Sequence, residues 1–410
     1  DLVRSRGLGD VYKRQTNAVY GLSIRRTGFT EGLYQVDLTW IDDNIWIYID
    51  NRLVYTRGCC VSSPTPSILN VYLNTNSRFE VRFNNTGGPG YVGLSFTQTL
   101  VSTNTNVWNP QTSNNDWLET TNWTKNAVPT INDNVTIPTN IGFNPVINGS
   151  GAACRNLVLG QGTTLTFSGN QTLTVAGNLT VNGATIAGDN GIIEMAGSTS
   201  LATINSSSTP SIPNLLLNSV NNFQLNCPVV IRTGLNLSRG ELNLNSRTLT
   251  LNNSALTTIS RGTGYIRSET NLATNPSIVC WNTGSNTGTY VYPFGVDNAT
   301  YIPISFNKRT NANTTICMST RRTGANNTPN TTGTNLMRNG QDVSNLIIDR
   351  WWHITTSVNP LPAPGADITF SYAGIENTLP GNGTDALVPQ HWSSISVSYT
   401  HLRAHETVLD

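Results

Sequence analysis

Apolar and polar residues alternate with a period of two along most of this 410-residue chain, and no helical period appears over residues 17–98. Over residues 17–98 the alternation resolves into strands at 32–40, 44–49, 53–55, 68–73, 78–83 and 91–96. Asp50-Asn51 stands between the second and third of these as a turn, and a glycine-rich loop fills 84–90. Short strands with one apolar face pack as two antiparallel sheets, so this region predicts a β-sandwich.

The pattern then changes twice. Residues 99–150 are rich in Asn, Thr and Pro and carry Trp108, Trp117 and Trp123. Residues 151–265 are built from three- to four-residue alternations such as Leu157-Val-Leu159, Leu173-Thr-Val175, Leu235-Asn-Leu237 and Leu249-Thr-Leu251, separated by Gly and Asn. Asn156-Leu-Val-Leu159 and Asn214-Leu-Leu-Leu217 read as near-repeats, with coils of about 20 residues that bury Leu and Val and turn Thr and Asn outward. The expectation is a parallel β-helix or solenoid, with ladders of like polar side chains between coils; a second sandwich is the alternative. A stack of this kind exposes edge groups at its first coil, and aromatic and Pro residues are suited to covering them. Stacked Trp rings can instead form a sugar platform. From 266 to 396 the strands lengthen, as in 289–295, 301–306 and 346–354, and a second sandwich is expected. The fold class is therefore all-β: a sandwich, a solenoid, then another sandwich.

Three of these segments resemble known architectures. Asp42-Asp43 leads into the strand 45–49, then Asp50-Asn51, then Leu53-Val-Tyr55, and this series is similar to the protective-antigen-type β-sandwich, with Asn51 where that family usually has Gly. The repeats resemble a right-handed parallel β-helix. The Trp/Pro-rich cap, the solenoid and the following sandwich with its Tyr292-Pro-Phe-Gly295 turn resemble large surface proteins exported by the type IX system of gliding bacteria. The resemblance implies an extracellular or cell-surface location. In lectin members of the protective-antigen-type family, paired Asp hold a calcium ion that coordinates sugar. That implies Asp42, Asp43 and Asn44 as calcium ligands, with Trp40 and Trp46 as nearby ligand-binding aromatics. Hard oxygen donors on a loop suit calcium; the plainer alternative is a turn whose carboxylates cap backbone N–H groups.

Composition narrows the function. Charged residues are 11% of the chain, far below the common quarter, and the formal net charge is +1. Nucleic acid is not expected as a partner, because phosphate binding needs clustered Lys and Arg. No apolar run is long enough to span a bilayer. The six cysteines, Cys59, Cys60, Cys154, Cys227, Cys280 and Cys317, contain no CxxC pair, so zinc is not expected. Some could form disulfides in an oxidising compartment, and the alternative is small buried hydrophobes.

The two ends carry a different signal. Ser5–Gln15 can be encoded by a DNA sequence whose reverse complement encodes Val397–Glu406. Folding does not demand such a relation, and residues 1–15 and 397–410 are expected to be translated sequencing adapter.

Catalysis is not expected. Polysaccharide lyases and hydrolases need clustered carboxylates, yet residues 151–265 hold only Asp189, Glu194 and Glu241, and no Lys. Arg232, Arg239, Arg247 and Arg261 are dispersed there. His353 reads as a strand residue, and neither a nucleophile elbow nor a phosphate loop is present. The expectation is a non-catalytic adhesin or surface scaffold that meets an extracellular glycan or a surface protein. A calcium-dependent carbohydrate-binding protein, and the non-catalytic part of a polysaccharide-degrading enzyme, are the alternatives. No cofactor is expected, with calcium as the alternative.

Overall fold

The computed structural model of the chain describes residues 20–58, 64–87, 90–99, 104–110, 114–139, 141–197, 201–269, 277–297, 299–324, 337–338, 341–342, 348–377, 390–393 and 398–401. It is 56% strand and 2% helical, so the fold is all-β, with a β-solenoid of about six turns between sandwich-like sheets. Two compact units divide the chain, residues 1–173 with 180–187 and residues 174–179 with 188–410, and the division falls inside the solenoid.

The first unit opens with seven strands: β1 (Tyr20–Arg26), β2 (Gly32–Ile41), β3 (Asn44–Ile49), β4 (Arg52–Arg57), β5 (Thr65–Leu73), β6 (Phe79–Asn85) and β7 (Val92–Thr99). They form two antiparallel sheets, ordered β1-β6-β3-β4 and β5-β2-β7. Alternate residues of β2, β3 and β6 and part of β5 fill the space between the sheets, while β4 contributes only the partly buried Val54 and Tyr55. Tyr34, Val36 and Leu38 of β2 pack there with Ile45 and Ile47 of β3, Leu69 and Leu73 of β5, and Phe79 and Phe83 of β6. Asp50 and Asn51 both take positive φ, 51° and 68°. That is the backbone of a two-residue hairpin turn, and Asp and Asn are the non-glycine residues that tolerate it best. Here Asn51 does the work the resemblance assigns to Gly.

Parallel pairing starts within the Trp-rich segment. Thr105–Val107 pairs with Asn134–Ile137, which pairs with Leu157–Leu159. Val146–Ile147 pairs with Thr164–Phe167, and that strand pairs with Thr185–Ala187. The three tryptophans are buried beside these strands. Trp123 meets Trp108 edge-on at 5.0 Å between centroids and Trp117 at 4.8 Å. Two of the three indole N–H groups are held by backbone: Trp108 Nε1 donates to Phe143 O at 2.7 Å, and Trp123 Nε1 to Trp117 O at 2.8 Å, while Trp117 Nε1 is buried without an acceptor among the described residues. Rings this deep offer no open face for a sugar.

In the second unit Ile192–Met195, Ser211–Asn218, Val229–Arg239 and Thr248–Leu251 pair in parallel, and so do Ala202–Asn205, Phe223–Leu225, Glu241–Asn243 and Tyr265–Arg267. Leu215 lies opposite Leu235 in register, and Ile193 opposite Leu215, so the aliphatic side chains form a continuous internal stack. Outside, Asn226 Nδ2 donates to Asn205 Oδ1 at 2.8 Å and Asn245 Nδ2 to Asn226 Oδ1 at 3.3 Å, a polar ladder from coil to coil.

The same sheet runs on into the C-terminal sandwich. Thr248–Leu251 pairs in parallel with Ile278–Gly284, which pairs antiparallel with Thr314–Arg322, which pairs antiparallel with Arg350–Thr356. Facing strands Gly288–Tyr292, Ile304–Lys308 and Ala366–Thr369 make a second antiparallel sheet. Cys280 lies in register with Cys317, and the two form a disulfide. Cys154 and Cys227 are buried free thiols, and desolvation pushes the Cys227 thiol up to about 11. The remaining pair, Cys59 and Cys60, lies outside the described residues. Replacing both Cys280 and Cys317 with serine should lower unfolding stability by about 2–4 kcal/mol, read as a drop in the urea midpoint, through the loop freed in the unfolded chain. A midpoint equal to that of the native chain would contradict the assignment of the bond as stabilising.

Candidate functional site

The turn between β2 and β3 carries the residues that the protective-antigen-type pattern singles out. Asp42 N donates to Tyr91 O at 3.1 Å, which ties the turn to the start of β7. The Asp43 carboxylate is buried and accepts from Thr86 N at 2.9 Å and Thr86 Oγ1 at 2.7 Å. It thereby caps the end of β6. Asn44 opens β3 opposite Asn84. Among the described residues no group of three or more His, Cys, Asp or Glu is placed to hold a metal ion. Of the two carboxylates that the calcium pattern would use, that of Asp43 already accepts from Thr86.

Trp40 and Trp46 lie on different sheets. Trp40, 42% exposed, follows an irregularity in β2 and points away from the core of the β5-β2-β7 sheet. Trp46 alternates with buried Ile45 and Ile47, so it lies on the outer side of the β1-β6-β3-β4 sheet, opposite Arg82 and Thr56. The two rings do not form one platform.

What the structure assembles around Trp46 is a charged cluster. Strand β6 carries Glu80 and Arg82 on its outer side, and Arg78 precedes it in step. Register places Arg25 of β1 and Tyr48 of β3 on either side of Glu80. Glu80 accepts from Arg82 Nε at 2.8 Å, Arg25 Nε at 3.0 Å, Arg78 Nη2 at 3.1 Å and Ser23 Oγ at 3.0 Å. Its side chain is only 2% exposed, whereas those of Arg25, Arg78 and Arg82 are 57%, 35% and 48% exposed. The Arg82 guanidinium also lies 4.0 Å over the Tyr48 ring, a cation–π contact. Sequence reasoning passed over this cluster, although Arg78-x-Glu80-x-Arg82 inside an expected strand was the available signal: a period of two puts all three on one side.

The hydrogen bond from Arg82, with those from Arg25 and Ser23 and against the cost of desolvation, lowers the Glu80 carboxyl to about 2. A folded-state value below the unfolded one means the stabilisation is complete above the ordinary Glu range near 4.5 and fades as pH falls toward 2. The thermal midpoint of Glu80→Gln should therefore lie below that of the native chain at pH 7, with the gap narrowing as pH falls from the ordinary Glu range toward 2. A gap that is constant with pH would remove the ionised carboxylate from the explanation.

On the solenoid the acids are engaged in structure. Asp189 pairs with Arg232 at 2.9 Å. Glu194 accepts from Thr174 Oγ1 at 3.0 Å and Asn218 Nδ2 at 2.8 Å, which links successive coils. Buried Glu241 accepts from Tyr265 Oη at 2.9 Å and from Arg267 at 3.4 Å. In the C-terminal sandwich His353 stands in strand register with Ser319, and desolvation together with Arg321 lowers its pKa.

Residues 107–222 match the family model of a domain of unknown function, DUF8693, a span that runs from the buried tryptophans into the coils of the solenoid. No curated protein and no solved structure shows a match to the chain.

Proposed function

We propose that this chain is a non-catalytic extracellular adhesin or surface scaffold in which a stiff solenoid displays sandwich modules for binding. The observation that carries this reading is the use made of the polar side chains on the coils. Asn205, Asn226 and Asn245 ladder to one another, Asn156 Nδ2 donates to Asn134 Oδ1 at 2.6 Å, and Arg239 donates to Asn218. Acids and amides that would line a reactive groove are spent on holding coil to coil. Such a stack resists bending, because each coil is fixed to its neighbours by a backbone sheet, an aliphatic stack and a side-chain ladder.

The test is incubation of the full chain with a panel of neutral and acidic polysaccharides. Release of reducing ends or unsaturated uronates is measured beside retention of the chain on the immobilised polymers. Retention without product release is the expected result, and sustained product release overturns the reading. Calcium-dependent sugar binding through Asp42, Asp43 and Asn44 has its own measurement. Because Asp43 is already satisfied by Thr86, adding a chelator should leave the thermal midpoint and the polymer retention unchanged. A chelator-sensitive midpoint would favour the calcium lectin instead.

A further inference from the structure

We propose that the outer face of the β1-β6-β3-β4 sheet binds a polyuronate, a polymer of carboxylate-bearing sugars, through Arg25, Arg78 and Arg82 beside Trp46 and Tyr48. The inference rests on the scaffold reading and names the ligand class of its N-terminal module. In a chain with only 11% charged residues, three guanidinium groups converge on a single carboxylate, so the cluster carries a surplus of two positive charges. Glu80 takes one N–H from each arginine and lies beneath them, nearly sealed from solvent. It positions the three side chains, which stay partly open to solvent. Arginines held in this way lose little further freedom on binding, and their planar forks suit a second carboxylate as they suit Glu80.

Arg78 and Arg82 start four residues apart on one strand, about 13 Å at the usual rise, and their forks converge on Glu80, so the charges of this face are gathered at one place. A polymer with a carboxylate on each sugar presents one to that place at any register. Trp46 lies on β3 opposite Arg82, where its ring can take the C–H face of a sugar next to the charges, while the Tyr48 ring is covered by Arg82 and helps hold it in place. Nearby, Asp50 Oδ1 accepts from Arg78 N at 2.7 Å, at the turn end of the face. Its charge favours a ligand that approaches over Arg82 and Arg25.

The experiment measures binding of the full chain to polygalacturonate, dextran sulfate, neutral dextran and duplex DNA by biolayer interferometry. Polygalacturonate should bind best, and raising the salt from about 50 mM to about 500 mM should weaken it at least about tenfold through screening. Arg82→Ala and Arg25→Ala should each weaken it by about tenfold, the scale of one charge-assisted contact. Arg25 is the most exposed of the three, so its variant tests the face even where Arg82→Ala unfolds. Arg57→Ala removes the same charge from the far side of β4, where Arg57 Nη1 donates to Thr65 Oγ1, and should bind as the native chain does. Equal binding of neutral dextran, or equal or tighter binding of dextran sulfate or DNA, overturns the proposal. So does an Arg25→Ala variant with native affinity. Each of these leaves the scaffold reading in place, since that reading fails only on product release.

Discussion

Replacing Arg350 with alanine should destabilise the C-terminal sandwich by about 3–5 kcal/mol, the cost of leaving a buried charge without its partner. Arg350 is fully enclosed. Its Nε and Nη2 donate to the Glu376 carboxylate at 2.7 and 2.5 Å, and its Nη1 donates to Glu269 at 2.9 Å and Thr320 Oγ1 at 3.1 Å. Glu376 is equally buried and also accepts from Ala373 N at 2.9 Å. One guanidinium therefore ties together the segment after the solenoid, two neighbouring strands and the short helix Gly374–Glu376. Without it, the Glu376 carboxyl is left buried with no cationic partner. Arg350→Met combined with Glu376→Leu should recover most of the loss, because the desolvation cost of both charges disappears together. Urea unfolding followed by tryptophan fluorescence reports both variants. A loss under about 1 kcal/mol for Arg350→Ala would mean that the network is not closed as described.

Trp123→Ala should cost a similar amount, about 3–5 kcal/mol, because it empties the centre of the three-ring cluster. Trp108 and Trp117 both pack edge-on against Trp123, and the indole N–H of Trp123 satisfies the Trp117 carbonyl. Removing the ring forfeits packing on two sides and exposes that carbonyl to an empty space. Circular dichroism and the thermal midpoint are the measurements. A sugar platform predicts the opposite result, intact stability with lost polysaccharide retention, and that outcome would return these rings to a binding role.

Much of the fold was legible because β-structure writes its faces into local alternation. Residues 44–49 read as a strand with Ile inward, and Ile45 and Ile47 are fully buried. Asp50-Asn51 read as a turn and is one. The short Leu-x-Leu units read as coils, and Leu157, Leu159, Leu215 and Leu235 lie within the solenoid. Ladders of Asn between coils were expected from stacking alone, and Asn205, Asn226 and Asn245 form one.

The candidate site was less legible. Trp40 and Trp46 are six residues apart, and their separation onto two sheets depends on β2 and β3 belonging to different sheets, which alternation does not encode. The Asp42-Asp43 step was visible, but the partner of Asp43 is Thr86, 43 residues on. Glu80 was invisible as a positioning group because Ser23 and Arg25, 57 and 55 residues before it, reach it only through the pairing of β1 with β6.

By itself, then, the order of residues determined the strands, their buried sides, the hairpin at Asp50-Asn51 and the stacking of coils, since each depends on neighbours two residues away or on a repeat. Only the tertiary structure decided that Cys280 meets Cys317, that the solenoid sheet continues into the C-terminal sandwich, that Arg350 reaches Glu269 across 81 residues, and that three arginines gather over Glu80. The physical reason is common to all four: a period of two tells each side chain which way to face, and strand pairing over long separations tells it whom it meets.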